Sequence, residues 1–442
     1  VNVAGRQAST SRSIASQTPV FNRSTESVAP LQTIESALRL SPAVDTRERG
    51  GKGIQTDISI RGGSFDQTMI TLNGINFTDA RTGHQSHSLP IDINAVSAIN
   101  VIDGVSGVGA YAGAVDIRTA PLYPRYISVE ASGGAYGYCY GSLAGGYTTD
   151  RLSLLVTGSA RRSGGYTHNT DFMNYNGYAR LSYSSPKAGL FDIQAGYQNR
   201  AFGANGFYSL SYPDQFERTS TALASLRWLR QGERLRLTAN VSYRMNTDRF
   251  ELMRGDESKV PFNHHITDNI GAEAGMGYRW AAGETSVGID VTYNHIYSTV
   301  LGDECTPKRI RGIDYDHRKG RTTVNTTLRH EKRWRRLSLN GAVGVSRSDY
   351  GTDALWNIGA EYNAGHCWSF GAGVVESMRL PTYTDLYYTA DANYIIFRDI
   401  DLSTKVAGEP EGDHSLALYV DAQSVSDWAR GAFAWALERG II

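Results

Sequence analysis

The chain has 442 residues, 40% of them hydrophobic, and its 44 basic residues are balanced by 44 acidic ones. No apolar run reaches the roughly eighteen residues of a transmembrane helix, and zero formal charge gives no global field for a nucleic acid. A membrane is not excluded, because barrel strands alternate apolar and polar residues and disappear from hydropathy averages. Usage supports that reading: 26 Tyr against 13 Phe suits interfacial girdles, where an amphipathic ring keeps one wet end. Cys139, Cys305 and Cys367 are too widely spaced for a zinc pattern or a disulfide framework. Val1 is not followed by a charged-then-apolar leader, so an export signal is expected to have been removed or to lie outside the chain.

Residues 1–30 are rich in Ser, Thr and Gln and read as a flexible arm. A short helix is expected from Thr33 to Leu40, capped by Thr33, with Ile34, Ala37 and Leu38 on one face and Ser41-Pro42 ending it. Strands are expected at Asp57–Arg61, Thr68–Leu72, Ala98–Ile102 and Ala114–Arg118. Together these make a compact α+β unit over 31–122.

From Tyr126 the texture changes to long alternating segments. In Leu235–Met245, Leu235, Leu237, Ala239, Val241, Tyr243 and Met245 share one face, while Arg236, Thr238, Asn240, Ser242 and Arg244 share the other. Ile270–Trp280, Val287–Tyr293, Leu337–Val345 and Trp356–Tyr362 repeat the pattern. About thirteen such segments fit before Met378, each near the ten residues a tilted strand needs to cross a bilayer. A soluble sandwich would use strands of about five or six residues. Arg254–Asp268 and Gly302–Arg318 are expected to be extracellular loops.

Several motifs carry no chemistry. Gly107-Val108-Gly109-Ala110-Tyr111-Ala112 satisfies a loose dinucleotide pattern, but Ala114–Arg118 after it reads as a strand where a helix is required. His84 and His87 lie in a loop without a third ligand, and His264-His265 reads as another loop pair, so no metal is expected. No hydrolase elbow, phosphate loop or zinc-protease motif occurs, and neither an enzyme nor a cofactor is expected.

The segment Gly53–Asp79, GIQTDISIRGGSFDQTMITLNGINFTD, resembles the plug of TonB-dependent outer-membrane receptors. Gly62-Gly63 permits a tight turn, Asn73-Gly74 is a hairpin-type turn signal, and Arg61 is a cation for a polar lumen. Ile99–Ile117, INVIDGVSGVGAYAGAVDI, resembles the family's second hallmark, although it lacks an Arg-Gly-Pro or Glu-Gly-Pro step. Ala201–Tyr208, Gln215-Phe216-Glu217, Ile296–Gly302 and Met378–Tyr388 are similar to the cobalamin-receptor-like subgroup of Bacteroidetes type. These matches extend over roughly residues 30–390.

The resemblance implies an all-β antiparallel transmembrane β-barrel over 126–390 with an N-terminal α+β plug. It implies energy-coupled uptake of a scarce nutrient across the outer membrane of a Gram-negative bacterium, with cobalamin or another corrinoid first. Ferric siderophores, oligosaccharides and a non-transporting surface-binding role are the alternatives. Implied partners are the inner-membrane energy-transducing TonB protein, the small nutrient ligand, outer-membrane lipid and a surface lipoprotein. The apical plug loops fall on 64–67 and 79–87, where Ser64, Phe65, Asp66, Gln67, Arg81, Gln85 and His87 are the substrate-binding candidates. Val1, Asn2 and Val3 resemble the end of a TonB box, which would recruit its partner by strand addition.

A wall that encloses such a plug needs many more strands than thirteen, so the barrel is expected to be incomplete and open. The resemblance stops after Tyr388, and 391–442 reads as foreign to the receptor. Asp421–Ile442 resembles part of a surface-layer-homology module. A short amphipathic helix is expected there from Ser426 to Arg439, with Trp428, Ala432, Trp435 and Ala436 on one face and Gly440 as its stop.

Overall fold

A computed structural model describes residues 16–23, 32–86, 88–103, 112–208, 210–259, 262–365 and 368–387. The expected C-terminal helix, the TonB-box remnant and His87 lie outside these residues. The chain divides into two compact parts, 1–382 and 383–442, and in the second part the described residues form a helical turn, Tyr383–Tyr387.

The first elements are β1 (Ser16–Asn22), α1 (Ile34–Leu38), β2 (Val44–Arg49), β3 (Gln55–Ile60), β4 (Thr68–Leu72), β5 (Ile75–Asn76), β6 (Val96–Asp103) and β7 (Gly113–Thr119). Thr33 caps α1 as expected, its Oγ1 accepting from the Ser36 amide at 3.1 Å. β2 and β3 form a hairpin, and the other strands make a mixed sheet in the order β1-β6-β7-β4-β5, with β4 and β7 parallel. Ile60, Ile70, Leu72, Ile99, Val115 and Ile117 are buried together in the core. Each such side chain contributes about 1.5–3 kcal/mol through lost apolar exposure.

The expected arm is corrected here, because Ser16–Asn22 pairs antiparallel with β6. Local composition hides this strand; its hydrogen-bond partner lies far along the chain, and Phe21 is buried in the shared core. Beyond the glycine pattern, most of which lies outside the described residues, Gly113–Thr119 is a strand, as the rejection of dinucleotide binding required.

The second sheet contains β8 (Arg125–Gly134), β9 (Tyr138–Thr148), β10 (Leu152–Ser163), β11 (Phe172–Ser185), β12 (Gly189–Gly203), β13 (Phe216–Gln231) and β14 (Leu235–Glu251). It continues through β15 (Phe262–Trp280), β16 (Gly283–Ser298), β17 (Asp303–Ile310), β18 (Ile313–Arg333), β19 (Leu337–Ser348), β20 (Gly351–Gly365) and β21 (Trp368–Val375). Every ladder in it is antiparallel, and β17 is a side branch on β18. β8 and β21 stand at opposite ends of the strand order, and no ladder joins them among the described residues.

Two expected loops are therefore partly strand. Residues 262–268 extend β15, which places His264 and His265 in a ladder, and 303–318 form a hairpin. Alternation is weak in both, because polar residues occupy the outward face near the strand ends. No described helix is long and apolar enough to cross a membrane. One face of the sheet bears exposed apolar side chains such as Val156, Ile193, Leu226 and Val241. The other packs on the N-terminal unit, where Leu155, Tyr178 and Leu223 join its core.

Candidate functional site

Connections 149–151, 186–188, 232–234, 281–282 and 334–336 are short, whereas those at the opposite end include 164–171, 204–215 and 252–261. Short turns mark the periplasmic end of an outer-membrane barrel and longer loops its extracellular end. Two loops of the N-terminal unit reach that long-loop end.

The first loop follows β3. Arg61 and Gly62 adopt positive φ, 50° and 80°, and turn the chain into the helical turn Phe65–Gln67. The Gln67 side-chain oxygen accepts from the Ser64 amide at 3.0 Å. The second loop runs from Thr78 to Ser88. Gly83 brings the two together: its amide donates to Asp66 Oδ1 at 2.7 Å, and an added Cβ would lie 2.3 Å from that oxygen. His84 completes the joint by stacking on Phe65 at a centroid distance of 4.1 Å, while its Nδ1 lies 2.6 Å from Asp57 Oδ1. Asp57 is itself paired with Arg49 at 3.2 Å.

Behind this joint the second loop is pinned to the barrel wall. Arg81 pairs with Asp248 of β14 at 2.7 Å. Asp79 pairs with Arg244 of β14 at 2.7 Å, and both side chains are almost wholly buried. Gln85 donates to Glu217 of β13 at 2.7 Å and accepts from Arg200 of β12 at 3.0 Å. Arg200 also donates to the Ile54 carbonyl at 2.6 Å and to Ser88. Tyr208, from loop 204–215, donates to Glu217 Oε2 at 2.5 Å and accepts from Gln55 Nε2 at 2.9 Å.

Three guanidiniums (Arg81, Arg200, Arg244) thus face three carboxyl groups (Asp79, Glu217, Asp248). Such a buried set is stable only where its charges are paired. Burial disfavours the charged form of Arg81, but Asp248, Asp79 and Glu217 more than offset this and raise its pKa. Burial, aided by Glu217, holds the Tyr208 phenol well above its usual value, so it stays a donor.

The candidate residues therefore occupy two environments. Ser64, Phe65, Asp66 and Gln67 are partly or fully exposed at the loop tip. Arg81 and Gln85 are only 7% and 2% exposed and bind the wall. His84, Asp57, Tyr208, Arg200, Arg244, Glu217 and Asp248 were missed as members of this site. Tyr208 and Glu217 sit in the segments quoted for the subgroup resemblance. Asp57 and His84 lie in the quoted plug segment and the second apical loop, whereas Arg200, Arg244 and Asp248 carry no sequence signal, because an inward polar residue on a barrel strand looks the same whether it meets water or a partner. Among the described residues no group of metal-ready side chains forms.

Residues 10–115 match the model of the TonB-dependent receptor plug domain. With that plug docked on a long antiparallel sheet, the architecture is decided. This is the fold of a TonB-dependent receptor. A curated relative of this receptor fold, the vitamin B12 transporter BtuB of Vibrio vulnificus (strain CMCP6), is 21% identical over 86% of the chain and 62% of its own length. The FrpB iron transporter of Neisseria meningitidis superposes with a TM-score of 0.65 and 13% identity, over 84% of the chain and 66% of its own. The copper transporter OprC gives 0.62 and 17%, over 80% of the chain and 61% of its own. The chain spans less than two thirds of the length of that curated relative.

Proposed function

We propose that this chain is the plug and part of the wall of an outer-membrane receptor that takes up a scarce nutrient by energy coupling to the TonB protein. The observation that carries the reading is the joined pair of apical loops, pinned behind to the wall by Arg81–Asp248 and Asp79–Arg244. A plug held by buried ion pairs blocks free passage, so entry needs a ligand signal outside and work from inside. In this reading Ser64, Phe65, Asp66 and Gln67 contact the ligand: Phe65 offers a ring face, and the polar side chains offer donors and acceptors. Arg81 and Gln85 transmit occupancy to the wall, and His87 remains a ligand candidate on the same loop.

A corrinoid is the first ligand to test, because a curated relative is named for vitamin B12. Labelled cobalamin should bind the full-length receptor, and Phe65→Ala or Asp66→Ala should weaken it by about tenfold, the loss of one good contact. No cobalamin binding by the intact receptor, with ferric-siderophore binding instead, would transfer the site to metal chelates. Failure of the periplasmic domain of TonB to capture the full-length receptor would refute energy coupling and leave surface binding. The box remnant Val1, Asn2 and Val3 is the segment such capture would engage.

A further inference from the structure

The strand register places a row of side chains across the outward face at the extracellular rim. Arg162 pairs with Met173, Met173 with Ala201, Ala201 with Arg218, and Arg218 with Arg249, across β10 to β14. Their sequence neighbours Arg161, Asn174, Arg200 and Glu217 are buried on the opposite, plug-facing side, so the row faces away from the plug. A cavity of about 530 Å³ opens along this row, lined by Arg162, Arg218, Arg254, Met173, Phe172 and Phe216.

The cations differ in how they are used. Arg254 reaches over from the loop after β14, is held by Asp171 at 2.6 and 3.0 Å, and lies over the Phe216 ring at 4.6 Å. Arg249 is paired with Glu251 at 2.7 Å. Arg162 and Arg218 are exposed, and among the described residues neither side chain has an ion-pair or hydrogen-bond partner.

The height of the row carries the argument. Ten positions down the same strands lies the paired row Leu152, Tyr183, Phe191, Trp228 and Ala239. Its aromatic rings suit the lower interface. Between the rows the outward side chains include exposed Val156, Tyr175, Ile193, Tyr197 and Leu226. Ten residues at about 3.4 Å each, tilted by about 40°, span roughly 25 Å, the height of a barrel's apolar band. The arginine row therefore sits where the phosphates of the outer leaflet lie.

We infer that Arg162 and Arg218, with the cavity between them, bind the phosphorylated headgroup of an outer-leaflet lipid whose acyl chains run down the apolar face. Guanidinium forks match phosphate oxygens bidentately, and Met173 and Ala201 leave the space between them low. Three strand spacings separate the two backbones by roughly 14 Å, so each arginine can take its own phosphate. The geometry thus favours a bisphosphorylated headgroup. The assignment rests on the outer-membrane barrel reading, and the test separates the two.

The full-length receptor is reconstituted in phosphatidylcholine nanodiscs, alone or doped with bisphosphorylated lipid A, its monophosphorylated form or the dephosphorylated amphiphile, and bound lipid is read by native mass spectrometry. Bisphosphorylated lipid A should be retained most strongly. Arg162→Gln with Arg218→Gln should lower that retention about tenfold or more, and the double Lys variant should fall between the two, keeping the charge but losing the bidentate fork. Millimolar inorganic phosphate should not displace the lipid. Circular dichroism checks strand content, and the two single Gln variants serve if the double variant loses it. Equal retention of the dephosphorylated amphiphile, or unchanged retention by Gln variants that keep their strands, overturns the site. Displacement by inorganic phosphate overturns the lipid assignment in favour of a plain anion site. Failure to enter phosphatidylcholine nanodiscs at all overturns the membrane-barrel reading, and the lipid site with it.

Discussion

Arg244→Ala is the most informative single change at the plug–wall contact. Arg244 donates to Asp79 Oδ2 at 2.7 Å and to the Gln85 carbonyl at 2.8 Å, and its side chain is 1% exposed. Removing it leaves Asp79 with Thr267 at 3.3 Å and the Arg81 amide at 2.8 Å, both neutral donors. A buried carboxylate stripped of its cation costs about 3–5 kcal/mol, which multiplies the population of the undocked loop by roughly 10²–10³ or more. Replacing both partners, Asp79→Asn with Arg244→Gln, removes both charges and should recover the part of that loss due to the unpaired carboxylate. Hydrogen exchange of a peptide covering 78–86 reads the opening directly, since the Arg81 amide is bonded to Asp79. Unchanged exchange in Arg244→Ala would refute the idea that this pair locks the loop. A double variant as open as the single one would show that packing, rather than uncompensated charge, sets the effect.

Three further outcomes follow from the same structure. Gly83→Ala should separate the apical loops, because its Cβ would meet Asp66 Oδ1 at 2.3 Å and Phe65 Cδ2 at 2.7 Å; loss of the Phe65–His84 stack should show as faster local proteolysis. Asn73 has φ 54°, donates to Gln194 at 2.7 Å and accepts from the Thr119 amide at 2.9 Å, so Asn73→Ala should cost about 2–4 kcal/mol in a urea titration. Asn73→Gly should cost less, because glycine relieves the backbone part alone. Burial raises the Glu35 carboxyl pKa above its usual value, with only partial opposition from its hydrogen bonds. A raised carboxyl favours the folded state at low pH, and that contribution is lost as pH climbs through the folded-state value. Glu35→Gln should therefore gain stability relative to the parent at pH 8 and show little difference at pH 4, and the same difference at both values would exclude this group.

The sequence by itself determined the architecture and the kind of plug. Alternation in Leu235–Met245 marks a strand with two unlike faces without any partner in view, because side-chain direction has period two. Gly62, Gly63, Asn73 and Gly74 announce turns through local backbone preference, and Thr33 announces a helix start by capping chemistry. Tertiary structure decided everything that depended on a distant partner. β1 exists because β6 supplies its hydrogen bonds, whereas its own composition reads as an arm. Arg81 and Gln85 look like loop residues until Asp248 and Glu217 meet them from the wall. Arg162 and Arg218 become neighbours of one cavity only through a register that crosses four strands. Strand patterning is a local steric property, whereas charge pairing depends on which strand ends face which loop, and only the folded chain brings those groups within hydrogen-bonding distance.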